Sequence, residues 1–294
     1  MAGVTGRAAH AVLHRGGKDE MMRGLRGTSR QERETRRLKR DVIKLAGIAV
    51  ELHEDGDGAP LLFLHSGQGF MPDQPYVGLL AKRRRLIAPS HPGFGKSELP
   101  DWLDTCDDIA HIYLELMDRL ALAKVDLVGC SIGGWIAAEI ASKVPERLRK
   151  LVLVAPVGVK TGPVDKLDIP DIFAMPQEKV NQLLFHDPAK ANVDLSKLSD
   201  EQLTIIARNR ETLALLAWEP WMHNPKLKHR LHRVSCPTLF LRGESDGLVT
   251  ADYLSRYAQL VPGARTETIP KAGHAVQVEQ PEAFAAKLLG FLDA

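Results

Sequence analysis

The chain is poor in the residues that would point to a disulfide scaffold, a metal centre or a membrane span. Three cysteines, Cys106, Cys130 and Cys236, are too few and too oddly numbered for a disulfide framework, and they point to a reducing, cytoplasmic setting. There is no C-x-x-C pair, no H-E-x-x-H and no G-x-x-x-x-G-K-S/T, so neither a metal nor a cofactor is expected. No apolar run approaches the roughly 20 residues that cross a bilayer, and no secretory hydrophobic region opens the chain. The net charge of +2 is also misleading as a sign of a basic surface. Of 39 Lys and Arg and 37 Asp and Glu, about eleven basic and four acidic residues fall in the first forty positions, so the remainder is mildly acidic and nucleic-acid binding is not implied.

Residues 1–40 have little apolar periodicity and are expected to form a disordered basic tail. Met21 and Met22 offer a second start point, which would place residues 1–20 outside the native protein. An arginine-rich start also reads as a transit peptide, against which Asp19, Glu20 and the glycine content stand. The whole chain of 294 residues is 44% hydrophobic and 26% charged and has the length to bury a large core.

Val128-Gly129-Cys130-Ser131-Ile132-Gly133-Gly134-Trp135 places a serine within G-x-S-x-G, after a short apolar run and before residues recurring at helical spacing (Ile132, Trp135, Ile136, Ile140). This is the form of a nucleophile elbow: a sharp strand-to-helix turn lifts the hydroxyl clear of the backbone, and glycines two positions either side relieve the crowding. A serine hydroxyl is a weak nucleophile and needs a base, which in turn needs an acid to orient it. Both follow in the order Ser, Asp, His. The apolar run Pro237–Leu241 opens into a turn carrying Asp246, and a strand over Ala264–Ile269 leads to Lys271-Ala272-Gly273-His274. Glu244 is the rival acid, less able to curl back because it is just leaving the strand. The loop after Leu61–Leu64 supplies the other oxyanion donor beside the N–H of Ile132; Ser66, Gly67 and Gln68 are the candidates and Gly67 is preferred. Cys130 should point into the sheet packing.

These segments, with His91-Pro92-Gly93-Phe94-Gly95-Lys96-Ser97, resemble the cap-bearing α/β-hydrolases from about Val42 to the C-terminus. The resemblance implies an α/β-hydrolase fold: a mostly parallel twisted sheet flanked by helices, its core at 41–156 and 234–294, with a helical cap inserted at 157–233. Two residues depart from the family pattern: Ser66 makes H-S-G of the usual H-G-G, and His91 stands where many relatives carry Asp. The second is expected to touch only a structural turn. A serine nucleophile excludes the aspartate chemistry of haloalkane dehalogenases and epoxide hydrolases.

Within the inserted segment, helical patches are expected at Gln177–Phe185, Ser199–Trp218 and Lys226–Leu231. Phe185, Leu215, Leu216, Trp218, Trp221 and Met222 are candidates for an apolar underside, and Arg208 or Arg210 for a substrate carboxylate. Ser66, Trp135, Trp218 and Trp221 are the expected substrate-contacting residues. The principal functional expectation is hydrolysis of a small-molecule ester or related carbonyl compound through Ser131, His274 and Asp246. One alternative is cleavage of a C–C bond in ring-cleavage diketones, whose hydrolases usually carry Trp after the catalytic histidine where Ala275 stands here. Another is a non-catalytic small-molecule binding module.

Overall fold

The structure, a computed structural model, describes residues 38–191 and 194–294. Most of the basic tail therefore lies outside the described residues, Met21 and Met22 included. Its last three positions do not: Leu38 precedes strand β1 (Lys39–Leu45), which begins at Lys39 paired with Glu54 of β2 (Ile48–Asp55), so ordered chain begins before residue 41. Ladder pairing with β2 captures these exposed residues in a strand although they carry no apolar pattern.

Six further strands complete one sheet: β3 (Pro60–Leu64), β4 (Arg85–Pro89), β5 (Val125–Cys130), β6 (Leu148–Val154), β7 (Thr238–Gly243) and β8 (Arg265–Ile269). Their order is β1-β2-β4-β3-β5-β6-β7-β8, with β2 antiparallel to both its neighbours and β3 to β8 parallel. Parallel central strands are covered on both faces, and successive side chains alternate between two cores. In β3, Leu62 and Leu64 enter one core and Leu61 and Phe63 the other; in β5, Val125 and Leu127 enter the first, Val128 and Cys130 the second. Cys130 therefore points away from Ser131's helix and into packing, and burial raises its thiol pKa.

The first core is closed by α2 (Cys106–Arg119), α3 (Ile132–Lys143) and α6 (Ala251–Ala258), the second by α1 (Pro75–Ala81) and α8 (Pro281–Asp293). Helix α2 starts at a reciprocal capping box between Thr105 and Asp108. Between β6 and β7 the described residues form no strand, only an isolated bridge from Gly158 to His223. They contain α4 (Gln177–Leu184) and α5 (Asp200–Ala217), the latter capped by Ser199 and Gln202. The helix expected at Lys226–Leu231 is instead two 3-10 turns, Leu227–His229 and Leu231–Arg233, because so short a run cannot repay helix nucleation.

Candidate active site

All the parallel strands point their C-terminal ends to one edge, and the loops that carry Gly67, Ser131, Asp246 and His274 leave from it. Ser131 directly follows β5. Its φ of 56° and ψ of −115° are strained for an L-residue, a conformation costing roughly 1–3 kcal/mol that the surroundings must impose. Its N–H donates to Val154 O at 2.9 Å, and its carbonyl accepts from Trp135 N at 3.1 Å and Val157 N at 3.3 Å. The turn is possible only with glycine on either side. A Cβ on Gly129 would sit 2.2 Å from Gly133 O, and one on Gly133 would sit 2.3 Å from Leu64 O. Ile132 opens α3, so its N–H has no acceptor within the helix.

Asp246 lies three residues beyond β7 with its side chain fully buried. Oδ1 accepts the N–H groups of Leu248 and Val249 at 2.9 and 2.8 Å, while Oδ2 meets Nδ1 of His274, in the loop after β8, at 3.0 Å. A carboxylate can only accept, so Nδ1 is the donor of that bond and Nε2 is the ring nitrogen left without a contact to Asp246. Nε2 is buried and has no hydrogen-bond partner, so the Ser131 hydroxyl is not bonded to it in this state. Glu244, the rival acid, instead accepts from Lys271 N at 3.4 Å.

The loop after β3 is braced from below and from above. Below it, His65 and His91 form a closed network. His65 Nδ1 donates to Ser66 O (2.7 Å) and its Nε2 accepts from His91 N (2.8 Å). His91 Nε2 donates to His65 O (2.9 Å), and its Nδ1 accepts from the Tyr113 hydroxyl (2.5 Å). Each ring uses one nitrogen as donor and the other as acceptor, which requires both to be neutral. Burial lowers both pKa values, that of His91 to about 4. His91 is therefore more than a residue of a structural turn: it holds the loop carrying Ser66 and Gly67.

Above the loop runs α5. Asn209 donates from Nδ2 to Gln68 O at 2.9 Å and accepts the Gly95 N–H at 2.9 Å; Thr212 donates to Gly93 O at 3.0 Å. Leu213 lies so close to Gly67 that a Cβ there would fall 2.7 Å from its methyl carbon. Within the loop, Gln68 N faces Ser66 Oγ and Gly69 N donates to Ser66 O, whereas no described group accepts the Gly67 N–H. Sequence reasoning missed Asn209 and Leu213. Their helix register was visible, but not that the face carrying positions 209, 212, 213 and 216 lies over two loops more than a hundred residues away.

Several expected substrate contacts belong elsewhere. Trp135 is 4% exposed in the first core, its indole N–H on Glu139 at 3.3 Å, because its helix face turns toward the packing. Trp218, 58% exposed, lines a surface cleft of about 460 Å³ with Leu215, Asp104 and Thr105, while Trp221 lines another cleft and donates to Ile169 O. Neither cleft is lined by Ser131, Gly67 or His274. Leu215 and Trp218 face outward, whereas Phe185, Leu216 and Met222 are buried. Arg208 donates to the carbonyls of Gly95 and Ser97, and Arg210 stacks over Phe173 at 5.2 Å, so protein groups occupy both cations.

Among the described residues, no helix is long and apolar enough to cross a membrane, and no cluster of His, Cys, Asp and Glu has a metal-binding arrangement.

A parallel sheet with the helical insertion between β6 and β7, and a strained serine at the end of β5, defines a hydrolase scaffold. The sequence profile of the alpha/beta hydrolase family matches residues 61–287, and the chain belongs to that family. It is 28% identical to 2-hydroxymuconate semialdehyde hydrolase of Pseudomonas putida over 270 residues, covering 85% of this chain and 92% of the relative. It is 29% identical to 2-hydroxy-6-oxo-2,4-heptadienoate hydrolase of Pseudomonas putida strain F1, covering 86% and 96%. Among solved structures it resembles a serine hydrolase from the polyaromatic-hydrocarbon-degrading Cycloclasticus zankles, with a TM-score of 0.71, 21% identity, and 87% and 98% coverage.

Proposed function

We propose that this chain is a serine hydrolase that breaks the C–C bond of a vinylogous diketone, the 2-hydroxy-6-oxo-dienoate type of compound. The observation that carries this choice is the likeness to the two Pseudomonas hydrolases along nearly their whole length, insertion included. It puts the ester reading expected from the sequence second. In the proposed reaction the 2-hydroxydienoate first tautomerises to its 2,6-dioxo-3-ene form, the enol proton moving to C5, and Ser131 Oγ then attacks the 6-oxo carbon while Nε2 of His274 takes its proton. Asp246 holds the imidazole by its Nδ1–H and stabilises the imidazolium. The oxyanion sits between the free N–H groups of Gly67 and Ile132. When the tetrahedral centre collapses, the C–C bond breaks. The departing chain takes the electron pair, spread by conjugation onto its 2-oxo group, together with the imidazolium proton. A water deprotonated by His274 then releases the acyl group as a carboxylic acid and restores Ser131. Residues 157–233, acting as a cap, hold Leu213 against Gly67 of the oxyanion loop.

One residue favours the ester reading: the position after His274 is Ala275, where ring-cleavage hydrolases usually carry Trp. Purified protein assayed with a 2-hydroxy-6-oxo-dienoate and with short p-nitrophenyl esters decides between the two. The expected result is a kcat/KM for the dienoate at least about tenfold above that for the esters, and a fall of about 10⁴-fold or more on both in Ser131→Ala. A preference for the esters would make the chain an esterase. Equal rates in wild type and Ser131→Ala would remove Ser131 from the chemistry, and no turnover of either substrate by wild type would favour a binding module.

A further inference from the structure

The proposed reaction makes no use of Glu279, a buried carboxylate at the end of α7 (Val276–Glu279), yet Glu279 grips the backbone on which the base stands. Its Oε2 accepts the N–H of Gly273 at 2.6 Å and that of His186 at 3.0 Å; its Oε1 accepts the N–H of Asp187 at 3.0 Å. Gly273 immediately precedes His274, whereas His186 and Asp187 belong to the insertion just beyond α4. Three N–H groups therefore converge on one anion, an arrangement stronger than three neutral hydrogen bonds. The same stretch of the insertion reaches the rest of the pair. Leu184 O accepts the His274 N–H at 2.7 Å, Leu183 O accepts the N–H of Gly247 beside Asp246 at 2.9 Å, and His186 Nδ1 meets Ser245 Oγ at 2.8 Å.

We infer that Glu279 is a positioning residue: it locks residues 183–187 of the insertion to the His274 loop, so that the seating of the insertion and the alignment of the base on Asp246 form one unit. The inference rests on the Ser131, His274 and Asp246 assignment above. Glu279→Gln keeps the shape but offers an amide N–H2 where the backbone also donates, so at least one buried N–H loses its acceptor. The ring of His274 then loses its fixed approach to Ser131, a misplacement felt in the chemical step rather than in substrate affinity.

The test is the rate at which a fluorophosphonate probe labels Ser131, with kcat and KM for the better substrate measured beside it. Glu279→Gln is expected to lower labelling and kcat by roughly 10- to 100-fold with KM within about twofold. Glu279→Asp, which keeps the charge but falls a methylene short, should give an intermediate loss. It reads the same quantities should the glutamine variant not fold. Glu282→Gln, exposed on α8, should behave as wild type. If wild type labels and a folded Glu279 variant labels equally fast with unchanged kcat, the inference is overturned and the catalytic assignment stands. If wild type itself does not label, the catalytic assignment fails and takes this inference with it.

Discussion

Two aspartates, Asp126 and Asp246, are both buried with no side-chain exposure, and they are handled in opposite ways. Asp126, near the start of β5, faces two guanidinium groups. Arg149 binds both of its oxygens and Arg84 lies at 3.5 Å, itself paired with Asp293. Asp246, beyond the opposite end of the parallel strands, has no Lys or Arg on its carboxylate among the described residues; Arg242 donates instead to its backbone carbonyl at 3.2 Å. Two backbone N–H groups hold one oxygen and the imidazole of His274 the other. A carboxylate neutralised by arginines is finished chemistry and serves only to tie strands to helices. One held by N–H dipoles keeps its charge available for a partner that becomes cationic during a reaction. The comparison separates the end of the sheet built for cohesion from the end that carries the proposed chemistry.

Asp246→Asn puts the largest strain on that contrast. The amide oxygen can keep the Leu248 and Val249 contacts, but an N–H2 facing Nδ1 forces the imidazole into the other tautomer, with Nε2 protonated and unable to accept from Ser131. Turnover should fall by about 10⁴-fold with little change in melting temperature. An active variant would show that Asp246, like Asp126, is only structural.

Asp126→Ala should do the reverse. Removing the shared partner of Arg84 and Arg149 should lower stability by about 3 kcal/mol in a urea titration, the low end for a broken buried pair because Arg149 is 42% exposed and Arg84 keeps Asp293, while the folded fraction keeps its kcat. A loss of turnover in the folded fraction would mean that the two ends are not independent.

The smallest effect concerns acid. His91 has its pKa lowered by burial to about 4, against an ordinary 6.5, so between these values the unfolded chain binds a proton that the folded one refuses. Stability is therefore full above about pH 6.5 and falls as the pH drops toward 4, by about 3 kcal/mol from this residue. His91→Asn should flatten that part of the urea midpoint against pH; an unchanged slope would show that other groups dominate it.

How much was legible beforehand follows the same division. The elbow could be read because its cause is local: Gly129 and Gly133 are glycine to avoid atoms a few residues away or on the adjoining strand end. The choice of Asp246 over Glu244 was also visible, since it depended only on distance from the end of β7. Trp135, by contrast, is the kind of side chain a binding site uses, and only its packing shows it to be core. Leu215 and Leu216 are adjacent and identical, yet one faces solvent and the other is buried, a difference of about 100° around α5 that composition does not reveal.

The amino-acid sequence alone determined the alternating strands, the strained serine turn and the order in which Ser131, Asp246 and His274 leave the sheet. These depend on the period of two along a strand and on steric limits within a few residues. Only the tertiary structure decided that Asn209 and Leu213 brace the loop of Gly67, that His91 locks it from below, and that Glu279 joins the insertion to the His274 loop. Each of these depends on the direction in which a helix or loop approaches from far along the chain, and that direction is set by the summed packing of the whole core.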